Sequence, residues 1–373
     1  MSGAGAGAGI PLVDLPAQHR QVADEVRAGL EKILSTGSFI LGKEVQEFEE
    51  AFARFSGVPH CIGVANGTDA IELVLRAAGV GPGDEVIIPA NTFIATALAV
   101  SRAGATPVLV DVDPRYQLID PARAAARRTP KTKAAIAVHL FGQLAPMEAL
   151  QQALPGLPLI EDAAQAQGAK RNGAGIGAVG IAAPTSFYPS KNLGAAGDAG
   201  AVLTRDDGLA KRIRALRNYG SDVKYYHPEL GFNSRLDSMQ AVVLSAKLKH
   251  LAAWNESRRQ AARRYDELFR GVPGLALPET MAGNEPIHYL YVVRLARRDA
   301  VLKKLQEAGV GAGVHYPVPI HLQGAYRNLG HQEGDFPETE RAAKEILSLP
   351  MYAEITPEQQ MRVADALRAA MAG

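Results

Sequence analysis

Between residues 61 and 140 the chain alternates short apolar runs with stretches of helical spacing, and few architectures accept that rhythm. Strands are predicted at 61–64, 85–88, 106–110 and 134–140, with helices at 68–78 and 92–103 and helical candidates after the later strands. Such alternation implies an α/β fold, a mainly parallel sheet with helices on both faces. The helices are rich in alanine, which suits close packing on a sheet. Two amphipathic helices precede this region, one through Val22, Val26, Leu30 and Ile33, the other through Val45, Phe48, Phe52 and Phe55. From residue 236 the pattern changes to one long helical stretch through 268. Beyond it, strands at 289–295 and 310–315 and helices at 300–307, 338–347 and 357–371 make a smaller α+β unit. The expected layout is a flexible Gly/Ala tail over 1–12, a large domain over 13–240 and a small domain over 241–373.

Composition narrows the function class. A formal net charge of +1 provides no global field to draw the chain to nucleic acid or to a membrane. No basic segment or winged-helix unit is appended for reading DNA. There is no apolar run long enough to span a bilayer, and the first nine residues lack the basic and apolar regions of a signal peptide. The single Cys61 rules out an internal disulfide and fits a reducing compartment. A cytoplasmic protein is expected.

Chemistry concentrates at strand ends. Lys191 follows an apolar run at 181–187 and is set among small residues, Gly194, Gly197 and Gly200. A partly desolvated lysine can form a Schiff base with an aldehyde. Upstream, the run at 157–160 leads directly into Glu161-Asp162. An acid at the carboxyl end of a buried parallel strand points into the crevice where α/β sheets bind ligands. Pyridoxal phosphate needs a carboxylate there, to keep its ring nitrogen protonated. Asp162 fits that need, although an aspartate after a strand can also cap a helix. Gly67-Thr68 opens the helix after the first strand, a terminus suited to phosphate or to an ordinary threonine cap. Ser186 can add a second hydroxyl. Phe93 can stack on a flat ring or fill core.

Three further stretches complete the inventory. Gly175, Gly177 and Gly180 spell the letters of a dinucleotide fingerprint, but polar residues precede them and a strand follows, so a turn is predicted and a nicotinamide dehydrogenase is disfavoured. The loop from Asn218 to His227 is polar and aromatic, and so is the loop from Val314 to His321. His315 and His321, on a proline-fixed turn, suggest ligand contact or a satisfied interface histidine. Their spacing suits no helical zinc motif, and no metal site is expected.

Five segments together carry a resemblance: Asn66-Gly67-Thr68-Asp69-Ala70, Pro89-Ala90-Asn91-Thr92-Phe93, Glu161-Asp162-Ala163-Ala164-Gln165, Ser186-Phe187-Tyr188-Pro189-Ser190-Lys191 and Gly231-Phe232-Asn233-Ser234-Arg235. In this order and at these separations the chain resembles the DegT/DnrJ/EryC1/StrS nucleotide-sugar aminotransferases, pyridoxal-phosphate enzymes of fold type I, the aspartate-aminotransferase-like fold. The resemblance implies that Lys191 holds the cofactor as a Schiff base and that Asp162 faces its ring nitrogen. Gln165 would sit beside the ring hydroxyl, and Phe93 would cover one ring face. Gly67, Thr68 and Ser186 would bind the phosphate, with Asn233 reaching that phosphate from a neighbouring subunit of a homodimer.

It also implies ping-pong transamination. L-Glutamate would leave as 2-oxoglutarate, and the pyridoxamine phosphate formed would aminate a nucleotide-linked ketosugar. Tyr188, Lys224, His315 and His321 look like the sugar-binding residues of the branch acting at C-3 of dTDP-3-keto-6-deoxyhexoses. UDP-linked 3-keto-uronates and 4-keto sugars are the alternatives. A non-catalytic sugar-nucleotide binder or regulator with the same fold would need neither Lys191 nor Asp162.

Overall fold

The computed structural model describes residues 9–372. Seven strands build the central sheet: β1 (His60–Val64), β2 (Glu85–Pro89), β3 (Thr106–Val110), β4 (Thr132–Val138), β5 (Leu159–Asp162), β6 (Ala183–Ser186) and β7 (Gly200–Thr204). Strands β3, β2, β4 and β5 lie side by side and parallel. The sheet continues into β6, because Glu161 N–H donates to the Ala182 carbonyl at 3.0 Å and Ala163 N–H to the Pro184 carbonyl at 2.9 Å. β7 then pairs antiparallel with both β6 and β1. The order is therefore 3-2-4-5-6-7-1, with β7 the reversed strand.

Burial on both faces explains the unbroken apolar runs. Val86 and Ile88 sit in one core layer with helix α3 (Gly67–Ala77) and helix α4 (Ile94–Arg102), whereas Ile87 packs in the layer on the opposite face. The predicted parallel α/β sheet is thus present. Strand β7 is an addition: Gly200-Ala201-Val202-Leu203-Thr204 follows a glycine-rich stretch that reads locally as loop.

The predicted amphipathic helices are α1 (Ala23–Thr36) and α2 (Lys43–Ser56). The long helical stretch is two helices, α6 (Ser238–Leu248) and α7 (Leu251–Phe269), after α5 (Asp207–Leu216). Leu244 and Leu251 still pack with α2 and β7, whereas Ala261, Tyr265 and Phe269 belong to the C-terminal core. The cores therefore change along α7.

The C-terminal core covers an antiparallel sheet, β8 (Leu275–Ala276), β9 (Tyr291–Leu295) and β10 (Ile346–Leu349), flanked by α8 (Arg298–Glu307) and α10 (Pro357–Ala372). Two predictions need correction here. Residues 310–315 make only single bridges, Val310 to Ile10 and Gly313 to Ser348, since three closely spaced glycines (309, 311 and 313) leave little side chain to pack. Helix α9 (Pro337–Glu345) stops before the predicted end at 347, because residues 346–349 pair with β9 as a buried strand. The tail also ends earlier than predicted. Ile10 is buried in the C-terminal core and donates its N–H to the Gly309 carbonyl at 2.8 Å, while residues 1–8 lie outside the described residues. Among the described residues no helix is long and apolar enough to cross a membrane.

Candidate active site

The carboxyl ends of β4, β5 and β6 converge on Asp162. The last residue of β5, it is only 5% exposed. One carboxylate oxygen accepts the Thr96 hydroxyl at 2.8 Å, and the other accepts the Ala164 N–H at 3.2 Å. Burial pushes its pKa above the ordinary range, and the Thr96 hydroxyl, the Ala164 N–H and the charge of Lys191 only partly offset this. No cation lies within ion-pair distance of it among the described residues. The site thus contains a buried carboxyl whose ionised form still wants a positive partner.

Its neighbour shows the opposite balance. Glu161 points to the other face of the sheet, where it accepts from Gly177 N–H at 3.0 Å, Val179 N–H at 3.2 Å and Gly180 N–H at 2.7 Å. His139 Nδ1 accepts the Ala145 N–H, so the ring proton is on Nε2 and is donated to Glu161 at 3.0 Å. Burial alone would raise the Glu161 pKa, but the bonds from His139, Gly177 and Gly180 outweigh it and hold the group below the usual carboxylate range. The glycine motif at 175–180 is accordingly a turn wrapped on a carboxylate, as predicted from its context.

Lys191 ends a tight turn, its N–H donating to the Tyr188 carbonyl at 2.8 Å. Its Nζ stands 4.2 Å from the centroid of the Tyr289 ring and makes no hydrogen bond or ion pair among the described residues. Beside it, His315 Nδ1 shares a 2.8 Å hydrogen bond with the Ser348 hydroxyl. Burial, with the Lys191 charge, lowers the His315 pKa to about 4, so the imidazole is neutral at physiological pH.

The anion end lies at the start of α3. Asn66 caps the helix by accepting the Asp69 N–H at 2.8 Å, which leaves the N–H groups of Gly67 and Thr68 without a protein acceptor among the described residues. Gly67 is tied to its identity by packing: a Cβ there would stand 2.6 Å from the Ser186 Cβ. That approach brings the Ser186 hydroxyl to the helix terminus, where the partial positive charge of the backbone favours a phosphate.

Gln165 is buried, accepting the Phe141 N–H at 2.7 Å and donating to the Tyr316 hydroxyl at 3.2 Å. Phe93 is 49% exposed, with its ring 5.0 Å from that of Tyr316. Hydrogen bonds, ring contacts and mutual charge effects thus link Lys191, Asp162, Gln165, Phe93 and His315 with Tyr316, while Ser186 meets Gly67 at the start of α3. Tyr188 stands exposed in the lysine turn.

Three predicted residues lie elsewhere. Asn233 is exposed on this chain's surface, and Lys224 rides on a protruding loop with its Nζ 5.0 Å from the Tyr225 ring. His321 is buried, bonds Glu340 at 2.9 Å and packs on the Phe336 ring, and its Nδ1 has no partner among the described residues. Substituting His321 by Ala is expected to lower stability by about 2–4 kcal/mol in a urea melt, through the lost volume and the lost bond to buried Glu340. The turnover of the folded fraction should stay within about twofold.

Thr96, Tyr289 and Tyr316 are site residues that the sequence did not single out. Thr96 lies one helical turn after Thr92, and its hydroxyl is 3.0 Å from the Thr92 hydroxyl. That spacing was the available signal for Thr96; nothing local marked Tyr289.

A buried carboxyl lacking a cation, a free lysine amine and a free helix terminus are the three anchors that pyridoxal phosphate requires, and they fit it. Comparison with known proteins agrees. The DegT/DnrJ/EryC1/StrS aminotransferase family model matches residues 20–368. The chain is 48% identical to a Geobacillus stearothermophilus protein named pleiotropic regulatory protein, covering 95% of this chain and 97% of that one. It is 47% identical to the UDP-N-acetyl-3-dehydro-alpha-D-glucosamine 3-aminotransferase of Acidithiobacillus ferrooxidans, covering 98% of each. It is 45% identical to the dTDP-3-amino-3,4,6-trideoxy-alpha-D-glucose transaminase of Streptomyces venezuelae, over 96% and 95% of the two chains. The crystal structure of S. venezuelae DesV in complex with a ketimine intermediate superposes with a TM-score of 0.95 at 44% identity, covering 97% and 98% of the chains. With fold type I, the site and these relatives in agreement, the chain belongs to the DegT/DnrJ/EryC1/StrS family of pyridoxal-phosphate-dependent sugar aminotransferases.

Proposed function

We propose that this enzyme moves the amino group of L-glutamate to C-3 of a dTDP-linked 3-keto-6-deoxyhexose. The observation that carries the transamination reading is the under-compensated Asp162 carboxyl facing the same crevice as the unbonded Lys191 amine. Pyridoxal phosphate supplies an electron-poor ring that spreads the electron pair left when the donor's Cα–H bond breaks. Asp162 would hold a proton on the ring nitrogen, with Gln165 the candidate partner for the ring hydroxyl and Phe93 the candidate cover for a ring face. Gly67, Thr68 and Ser186 fix the phosphate. With the cofactor bound, Lys191 Nζ would be the group placed to take the donor's Cα proton and to hold it for return, as general base and then general acid. Neutral His315 and exposed Tyr188 border the space left for the sugar.

A second subunit completes the site in this reading. Asn233 and Lys224 are exposed, and the loop beside them exposes Tyr225 at 80% and Leu230 at 96%. Apolar surface of that kind is what a second copy would cover, with Asn233 reaching the partner's phosphate and Lys224 its nucleotide diphosphate.

Both named transaminase relatives act at position 3 by their names, which supports C-3 over C-4. They differ in nucleotide, so a UDP-linked 3-keto sugar is the second reading. The test is a panel of dTDP- and UDP-linked 3-keto and 4-keto sugars offered to the glutamate-reduced enzyme, with return of the yellow absorbance as readout. Preference for the dTDP 3-keto sugar is expected. A kcat/KM at least tenfold higher for a UDP or a 4-keto substrate would overturn the assignment.

A further inference from the structure

The turn that carries Lys191 is held from below by a chain of buried amides. Asn192, 1% exposed, donates its Nδ2 to Asn255 Oδ1 at 2.7 Å and to the Ile287 carbonyl at 3.2 Å. Asn255, on α7, donates its own Nδ2 to the Gln167 carbonyl at 2.9 Å. Gln167 in turn donates Nε2 to the Thr185 hydroxyl at 2.9 Å and to the Ser186 carbonyl at 2.8 Å. One relay therefore joins the loop after Asp162, the strand end at Ser186 and the turn at Lys191. Asn255 is its middle link, with both amide atoms engaged. The approach is tight: at Gly168, which has φ +92°, a Cβ would meet the Asn255 Nδ2 at 2.6 Å.

The same turn is gripped on its far side. Lys247, on α6, is 5% exposed and has no anion within ion-pair distance among the described residues. Its Nζ donates to the Gly194 carbonyl at 2.7 Å. Nothing in the reaction uses Lys247 or Asn255 directly, and neither touches the crevice residues Asp162, Phe93 or His315. Burying amides and an ammonium beneath one four-residue turn is costly unless their donors are bonded; Asn192 Nδ2, Asn255 Nδ2 and Lys247 Nζ all are, although Asn192 Oδ1 and Gln167 Oε1 find no partner among the described residues, so the turn is held on two sides through its donors.

We propose that Asn255 is a positioning residue for Lys191, acting through Asn192, with Lys247 bracing the other end of the same turn. The idea rests on Lys191 being the lysine that carries the cofactor. Buried partners that orient a working side chain carry roughly 10–100-fold of its function in comparable arrangements, and a misplacement of about 1 Å can cost a similar factor.

The test uses the cofactor-loaded enzyme and the variants Asn255→Ala, Asn192→Ala, their double variant, and Lys247→Met. Expected for Asn255→Ala is a kcat lowered roughly 10–100-fold with the KM for the ketosugar within about twofold. The midpoint pH of the lysine-bound cofactor's yellow band should also move, by about half a unit or more, since that band reports the setting of the lysine nitrogen. The double variant should be no worse than either single one, because the two residues act as one link. Lys247→Met should move the same band, and it gives the readout if Asn255→Ala does not fold. Additive losses in the double variant, or a band midpoint unchanged in every folded variant, overturn the proposal. A parent enzyme that never turns yellow fails the Lys191 assignment itself, a result separable from the behaviour of the variants.

Discussion

Replacing Lys191 with alanine is expected to lower kcat by at least about a thousandfold while leaving the protein folded. The loss combines two roles, the covalent hold on the cofactor and the proton transfers, and general acid–base work alone is worth roughly 10²–10⁴-fold. Stability should change little. Lys191 Nζ gives up only its contact with the Tyr289 ring, worth about 1 kcal/mol at such sites. The variant should bind pyridoxal phosphate without the yellow band of the lysine-bound form and should not complete the conversion with L-glutamate. A small primary amine at high concentration should restore part of the proton transfer. Wild-type turnover in the variant would remove Lys191 from the chemistry and with it the transaminase mechanism.

Asp162→Asn is expected to be the second most damaging change, lowering the rate of the glutamate half-reaction by roughly 10²–10⁴-fold. The estimate follows from the about 3–5 kcal/mol lost when one partner of a buried charge pair is removed, at 1.36 kcal/mol per tenfold in rate. Without the cofactor the variant should be as stable as the parent or slightly more so. Asparagine keeps the bonds to Thr96 and Ala164, because the Thr96 hydroxyl can turn from donor to acceptor. It also removes a carboxyl that burial keeps from ionising easily. Stability and activity should therefore move in opposite directions, a pattern that simple misfolding cannot produce. Thermal melts of the cofactor-free proteins beside stopped-flow traces with glutamate would show it, and a rate within threefold of the parent would contradict the role given to Asp162.

Much of this was legible in the sequence, for identifiable reasons. The parallel sheet could be read because β2, β3 and β4 are continuous apolar runs between well-marked helices. Asp162 and Lys191 could be read because Asp162 closes such a run and Lys191 lies in the short turn after one. Strand β7 could not, since Gly200-Ala201-Val202-Leu203-Thr204 lies in a glycine-rich stretch and is made a strand by its two neighbours. Strand β10 was hidden for a similar reason: its partner, β9, lies more than fifty residues away in the chain. The burial of His321 against Phe336 could not be read either, because it depends on how two segments pack. Tyr289 and Tyr316 enter the crevice through tertiary approach, which no local spacing records.

Adjacent residues on a strand face opposite ways, and β5 ends on two acids that this geometry puts to opposite uses. Glu161 is saturated with donors that hold its pKa below the usual carboxylate range, a fixed piece of scaffold. Asp162 is left short of positive charge and is receptive to a ligand that brings it. A one-residue deletion in β5 would exchange them, turning the contented acid toward the cofactor and stranding the hungry one against the glycine turn. Hydropathy would barely register such a deletion, and the sheet would still close. In this family of folds the phase of a single strand, as much as the identity of its residues, is then a heritable part of the catalyst, and length changes in β5 are the mutations it tolerates least.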